Sequence, residues 1–174
     1  MATIRFNKIE AARRQLSVAL DLWFADGDPL AVHTLVGASS RLLSDLLVKN
    51  GLSDPFLVDN ASIRPEKRKE WLRVVRSTAN FLKHADEDPG AEHELDPREN
   101  DLLLVQCISA LRQLGADPLS VKEHAFWVRF GLEMPDVLVE PFATTFATEE
   151  FQAIAGMSRR DFYAAFKKTS ENRR

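Results

Sequence analysis

Long stretches of helical apolar periodicity, separated by few glycines and prolines, constrain the fold most strongly. The 174 residues include only 7 glycines and 8 prolines, which cluster between the periodic stretches, as is typical of helical proteins. Five prolines directly follow an aspartate: Asp28, Asp54, Asp88, Asp96 and Asp117. Aspartate accepts hydrogen bonds from the free amides of a first helical turn, and proline is well tolerated at the next position. We therefore expect helices to begin after Asp28 and Asp117.

The apolar spacing predicts five main helices and one or two short carboxy-terminal helices. The main helices are expected at 7–25, 29–49, 65–84, 98–114 and from Pro118 onward, and the short ones at 148–155 and 158–169. The glycines expected to end the first, second and fourth helices are Gly27, Gly51 and Gly115. We expect residues 1–174 to form a single all-α domain, a helical bundle whose last few residues are a frayed basic tail.

Composition excludes several classes of protein. The formal net charge of −3 gives no general attraction to nucleic acid or to an anionic membrane, so any such binding must be local. No run of about 18 apolar residues is present and the first residues lack the apolar core of a signal peptide, so we expect a cytoplasmic protein without a membrane partner. The single cysteine, Cys107, excludes a disulfide within the chain and fits a reducing compartment.

The sequence predicts no metal site and no cofactor. The four histidines, His33, His84, His93 and His124, include no pair three or four residues apart on one helical face. Phosphate-loop, dinucleotide-binding and nucleophile-elbow motifs are also absent. His33 lies at the border of an apolar face, where a hydrogen-bonded structural histidine is the commoner outcome.

Opposite charges are concentrated in separate segments. Residues 64–76 and 157–174 each hold six basic and two acidic side chains, whereas 85–101 holds eight carboxylates and one arginine. The acidic segment is typical of a solvated loop. The basic segments, which include Arg68 and Lys69, indicate either a surface for RNA or an acidic protein partner, or pairing with the acidic loop within one subunit or across a dimer.

The end of the third predicted helix carries the most distinctive polar residues. Because steps of four residues stay on one helical face, Arg76, Asn80 and His84 are expected to form a stripe, which Arg73 and Lys83 flank. An arginine, an amide and an imidazole together could hold a phosphodiester and move a proton near neutral pH. Alternatively, the histidine stabilises the helix end, the arginine pairs with the acidic loop and the asparagine bonds to a neighbouring loop.

The stretch RSTANFLKHAD at 76–86 resembles the arginine, asparagine and histidine region of the higher eukaryote and prokaryote nucleotide-binding (HEPN) superfamily. The resemblance implies a compact, often dimeric helical bundle of a kind that includes ribonucleases and non-catalytic partners in toxin and defence systems. The family's arginine, polar residue and histidine would be Arg76, Asn80 and His84. Seven residues separate Arg76 from His84, whereas the family's ribonuclease motif has four to six.

Three hypotheses for function follow. The first is a HEPN-like binding or interaction module that acts as a homodimer, without catalysis. The second is a metal-independent ribonuclease that uses His84 with Arg76. The third is a structural or small-ligand-binding bundle, which would show a deep apolar pocket lined by Trp23, Trp71 or Trp127. Small residues at 37–40 leave room for a ligand or allow close helix packing, and we favour close packing.

Overall fold

A computed structural model describes residues 3–53, 66, 77–83, 89–116, 118–134 and 149–172. The helices with bounds in these residues are α1 (Lys8–Phe24), α2 (Pro29–Lys49), α3 (Arg98–Gln113), α4 (Val121–Glu133), α5 (Glu149–Ala155) and α6 (Arg159–Glu171). Residues 77–81 are also helical, and the described part of the chain contains no strand. The protein is therefore all-α, as the sequence predicted. Most of the third predicted helix, 65–84, lies outside the described residues.

Polar side chains set the starts of the helices. Asp28 accepts a hydrogen bond from the Leu30 amide at 2.7 Å, with proline at the first position of α2, so the expected start after Asp28 is confirmed. The expected start after Asp117 is wrong, because α4 begins three residues beyond Pro118, at Val121. There Ser120 and Glu123 form a capping box in which each side chain bonds the other's amide. This reciprocal pair satisfies two free amides together, which makes Ser120 the N-cap residue and Val121 the first residue of α4.

A residue in the left-handed backbone conformation follows each of three helices, and two of the three are the glycines that the sequence predicted. Gly51 and Gly115, with φ of 66° and 71°, end α2 and α3 as expected. After α1 the left-handed residue is Asp26, with φ of 51°, and not Gly27. The Gly27 amide instead donates to the Leu22 carbonyl at 2.8 Å, and a Cβ on Gly27 would lie 3.1 Å from that oxygen. Gly27 therefore permits a close approach of two backbone segments.

One continuous apolar core is formed by side chains of α1, α2, α3 and α4 together with Phe162 of α6. The helices α1 and α2 form an antiparallel hairpin, α3 packs on α2, and α6 packs on α4. The residues at 103–108 of α3 are all buried, which confirms the prediction of a central helix covered on several sides. Each fully buried leucine or phenylalanine in such a core stabilises the fold by about 1.5–3 kcal/mol. The largest of these side chains are Leu16, Leu20, Leu43, Leu47, Leu103, Leu104, Ile108, Leu111, Phe126 and Phe130.

The small residues at 37–40 pack less closely than expected. Ser39 is buried and its hydroxyl donates to the Ala12 carbonyl of α1 at 3.0 Å, so the two helices do meet there. Gly37 is also buried, yet a Cβ built on it would find no atom of the described residues within 4 Å. Close packing is therefore confirmed at Ser39, whereas no described residue packs closely on Gly37.

Candidate functional site

The structure describes two of the residues predicted to form the binding stripe and its flanks. Asn80 lies in the helical segment 77–81, Lys83 follows in the turn after it, and both side chains are exposed to solvent. The other predicted site residues lie outside the described part of the chain: Arg68, Lys69, Arg73, Arg76 and His84. Neither described residue is covered by another helix, so both are accessible to a ligand.

Thr78 anchors this helical segment on its buried side. Its side chain is 1% exposed, with its hydroxyl oxygen 2.7 Å from His93 Nε2 and 3.3 Å from Glu99 Oε2. Because the carboxylate only accepts, the hydroxyl donates to Glu99 and accepts from His93, which places the histidine proton on Nε2. The Phe81 ring stacks on His93 with centroids 5.1 Å apart. These contacts fix the orientation that leaves Asn80 facing solvent.

His33 forms a second buried polar contact. It is 1% exposed, and its Nδ1 lies 2.8 Å from Asn100 Oδ1, so Nδ1 donates to the amide oxygen. Burial lowers the pKa of His33, the bond to Asn100 opposes this, and the charges of His93 and Lys83 lower the pKa further. The prediction of a hydrogen-bonded structural histidine is confirmed, although the side chain is fully buried rather than at a border.

A partly buried ionic cluster joins α1, α3, α4 and α6. Trp23 Nε1 donates a hydrogen bond to Asp101 Oδ1. Arg159 Nη2 lies 3.6 Å from Asp101 Oδ2 and 2.7 Å from Glu133 Oε2, and its guanidinium lies 3.8 Å from the centroid of the Trp23 ring. Glu133 also binds Arg129 Nε at 2.6 Å. Two arginines and two carboxylates thus balance in charge, and α6 is attached to three other helices.

Burial and pairing have opposite outcomes at the two carboxylates of this cluster. Burial raises the pKa of Asp101 from 3.8 to about 6, against the opposing effects of Arg159 and the Trp23 hydrogen bond. Burial would also raise the pKa of Glu133, but the hydrogen bonds from Arg159 and Arg129 outweigh it and lower the pKa. A carboxylate whose pKa lies close to neutral beside a cleft marks a candidate functional region.

Sequence reasoning assigned the main members of this cluster to other roles. Asp101 was expected in the solvated acidic loop; the residues at 91–94 of that loop are exposed, but Asp101 is 3% exposed within α3. Asp101 stands three and four residues before the buried Leu104 and Val105, and this helical spacing was the signal for its burial. Arg159 was grouped with the basic tail, and its pairing with Asp101 supports the alternative of pairing within one subunit.

A cavity of about 210 Å³ opens beside this cluster. It lies where the first turns of α2, α3 and α6 meet the end of α1, and it is lined by Trp23, Asp26, Gly27, Pro29, Val32, Pro97, Asn100 and Arg159. It contains Trp23, as the ligand-binding hypothesis required, but charged and amide side chains share its walls with apolar ones. It therefore suits a small polar ligand better than a purely apolar one.

Comparison of the chain with family models, curated proteins and solved structures found no match. Within the described residues, no three histidine, cysteine or acidic side chains are placed to hold a metal ion. No helix in that same part of the chain is long and apolar enough to cross a membrane. The geometry and charge of individual side chains are therefore the basis for a functional proposal.

Proposed function

We propose that the protein is a HEPN-like module that binds single-stranded RNA on the stripe of Arg76, Asn80 and His84, without cleaving it. The observation that supports this most is the orientation of the segment 77–83. Thr78 is buried and bonded to His93 and Glu99, whereas Asn80 and Lys83 are exposed. A surface that must contact a macromolecule needs this outward orientation.

The chemistry of the stripe suits a nucleic acid more than a small anion. Arginine and lysine bind phosphates, and an asparagine amide can both donate to and accept from a base edge. The segment 64–76, which ends at Arg76, holds six basic side chains against two acidic ones, which gives local attraction to a polyanion although the chain as a whole is acidic. Single strands expose their bases to such an amide, whereas the deep groove of an RNA duplex hides them.

Binding without cleavage follows from the departure from the family motif. Seven residues separate Arg76 from His84, which is outside the four to six of the family's ribonuclease pattern. General acid–base catalysis requires hydrogen-bond distance between the imidazole and the proton that it moves. We propose that His84 supports RNA binding and does not transfer a proton.

The test is the affinity for a fluorescently labelled single-stranded RNA, measured by anisotropy at several salt concentrations. The double variant Arg76→Gln/Lys83→Gln removes two proposed phosphate contacts. We expect weaker binding, with the slope of log K against log salt reduced by about 1.4 in magnitude, since each contact to a single strand contributes about 0.7. The matched control Arg160→Gln/Lys167→Gln removes two exposed charges from α6 and is expected to bind like the unmodified protein.

Three results would overturn the proposal. Equal weakening by both double variants would show attraction to net charge alone, without a site. Displacement of the RNA by polyglutamate at equal charge concentration would favour an acidic protein partner. Cleavage of the RNA that His84→Ala abolishes would show that the ribonuclease hypothesis is the right one.

We also propose that this module is a cytoplasmic homodimer. Exposed apolar side chains at one end of the α1–α2 hairpin support dimerisation. The bond from Ser39 to Ala12 sets the antiparallel register, which brings Phe6, 56% exposed, to the same end as Val48, 62% exposed. Light scattering after gel filtration should give the mass of two chains, and Phe6→Asp should give the mass of one. A single-chain mass for the unmodified protein at all concentrations would contradict dimerisation.

A further inference from the structure

The cavity beside the ionic cluster presents two opposite charges that do not pair with each other. Asp26 and Arg159 both line it, and the charge of Asp26 contributes to raising the pKa of Arg159. The ion pairs of Arg159 are nevertheless made to Asp101 and Glu133. A carboxylate and a guanidinium thus lie within electrostatic reach of each other with a gap between them.

Hydrogen-bond donors remain free on the guanidinium side of the gap. Arg159 uses Nε and Nη2 to bind Glu133, while its Nη1 makes no hydrogen bond to any described residue. Asn100 binds His33 through Oδ1 and gives one Nδ2 proton to the Pro29 carbonyl at 2.9 Å, which leaves its second Nδ2 proton. Together these groups can bind the oxygens of a ligand carboxylate.

The charge balance around the cavity favours a ligand that also carries a cationic group. Arg129 and Arg159 are balanced by Asp101 and Glu133 in the ionic cluster. Asp26 therefore leaves one negative charge in excess on the cavity wall. A simple anion would meet this charge unfavourably, whereas an ammonium group placed against Asp26 would neutralise it.

Asp26 occupies a backbone conformation that glycine would adopt with less strain. Its φ of 51° lies in the left-handed region, which non-glycine residues enter at some energetic cost. Its side chain is exposed at the cavity mouth. An aspartate at this position supplies a carboxylate to the cavity at the expense of a more relaxed turn.

We infer that the cavity binds a small zwitterion, a short aliphatic α-amino acid. Its ammonium group contacts Asp26, its carboxylate accepts hydrogen bonds from Arg159 Nη1 and Asn100 Nδ2, and its side chain packs against the apolar wall formed by Pro29, Val32 and Pro97. The volume of about 210 Å³ equals the space of about seven waters in the liquid, which is the size of such a molecule. This site is separate from the proposed RNA stripe.

The test compares valine with its two half-analogues: isobutylamine, which lacks the carboxylate, and isovalerate, which lacks the ammonium group. Binding is followed on the isotope-labelled full-length protein through the indole N–H resonance of Trp23, which lines the cavity. We expect saturable shifts with valine and at least tenfold weaker binding of either analogue. The inference is overturned if isobutylamine or isovalerate binds as tightly as valine, or if no compound shifts the resonance at tens of millimolar.

Variants of Asp26 separate ligand binding from folding. Asp26→Asn keeps a residue that tolerates the left-handed conformation and is expected to weaken valine binding at least tenfold. The matched control Asp45→Asn removes an exposed carboxylate that pairs with Arg41 on α2 and should leave binding unchanged. Asp26→Gly should lose binding while the midpoint of thermal unfolding stays the same or rises. Unchanged valine binding in Asp26→Asn, or equal loss in Asp45→Asn, would overturn the inference.

Discussion

Replacement of Asp101 by asparagine tests the electrostatic cost of burying this carboxylate in the ionic cluster. Burial raises the pKa of this carboxyl group from 3.8 to about 6. Since one pKa unit corresponds to about 1.4 kcal/mol, ionising Asp101 costs the folded protein about 3 kcal/mol relative to the unfolded chain. The folded state takes up the proton first as the pH falls. The contribution of Asp101 to stability is therefore fully present below about pH 4 and is lost as the pH rises through about 6.

Asp101→Asn removes this titrating group, so the free energy of unfolding should depend on pH differently in the variant and in the unmodified protein. The free energy of unfolding is measured by urea denaturation at a series of pH values between about 4 and 7.5, with circular dichroism as the signal. Between the highest pH and the lowest, we expect the free energy of unfolding of the unmodified protein to rise by about 3 kcal/mol relative to that of Asp101→Asn. Other titrating groups are common to both proteins and cancel in the difference.

Asp45→Asn provides the control, because Asp45 is an exposed carboxylate with its partner on the same helix. The free energy of unfolding of Asp45→Asn should differ from that of the unmodified protein by the same amount at every pH in the series. A difference between the unmodified protein and Asp101→Asn that does not vary with pH would refute the reasoning. So would a difference of the opposite sign, which would mean that Arg159 stabilises the charge of Asp101 more than burial opposes it.

The remaining predictions concern single side chains. Burial lowers the pKa of His33 below 6.5, so its contribution to stability is present above pH 6.5 and is lost as the pH falls from 6.5 through the lower pKa of the folded state; nitrogen NMR at pH 6.5 should show more than half of His33 neutral. Asp28→Ala should lower the free energy of unfolding by about 1 kcal/mol through loss of the α2 cap, whereas Asp45→Ala should change it far less. Gly37→Ala should raise it by about 1 kcal/mol, since alanine favours the helix and its Cβ meets no atom of the described residues; a decrease would contradict open space beside Gly37. Cys107 is fully buried, which also raises the pKa of its thiol to about 12, so a thiol reagent should label it only as fast as the protein unfolds.

Local rules predicted the helices well, because a cap or a periodic face is encoded within a few residues. The start of α2 at Asp28 and the buried run of α3 both came from such patterns. The start of α4 was missed because two local signals competed, and the capping box of Ser120 with Glu123 satisfied more amides than the preceding aspartate and proline.

The ionic cluster and the cavity depend on contacts between distant segments, which composition and spacing do not show. Asp101 and Arg159 are far apart in the chain and belonged to segments that carry many like charges. They pair because α3 and α6 pack together beside Trp23 in the folded chain. Local helical spacing could have indicated the burial of Asp101, but it could not have named its partner. The orientation of Asn80 likewise depends on His93 and Glu99, which hold Thr78 from outside its own helix.

The central proposal is that RNA binds on the stripe of Arg76, Asn80 and His84, which Lys83 flanks. The most direct measurement is a titration of the isotope-labelled protein with single-stranded RNA, followed by amide NMR. We expect the resonances of Asn80 and Lys83 to shift progressively, while the indole N–H resonance of Trp23 stays unchanged. RNA that shifts the resonance of neither residue, or that shifts that of Trp23 alone, would contradict RNA binding on this stripe.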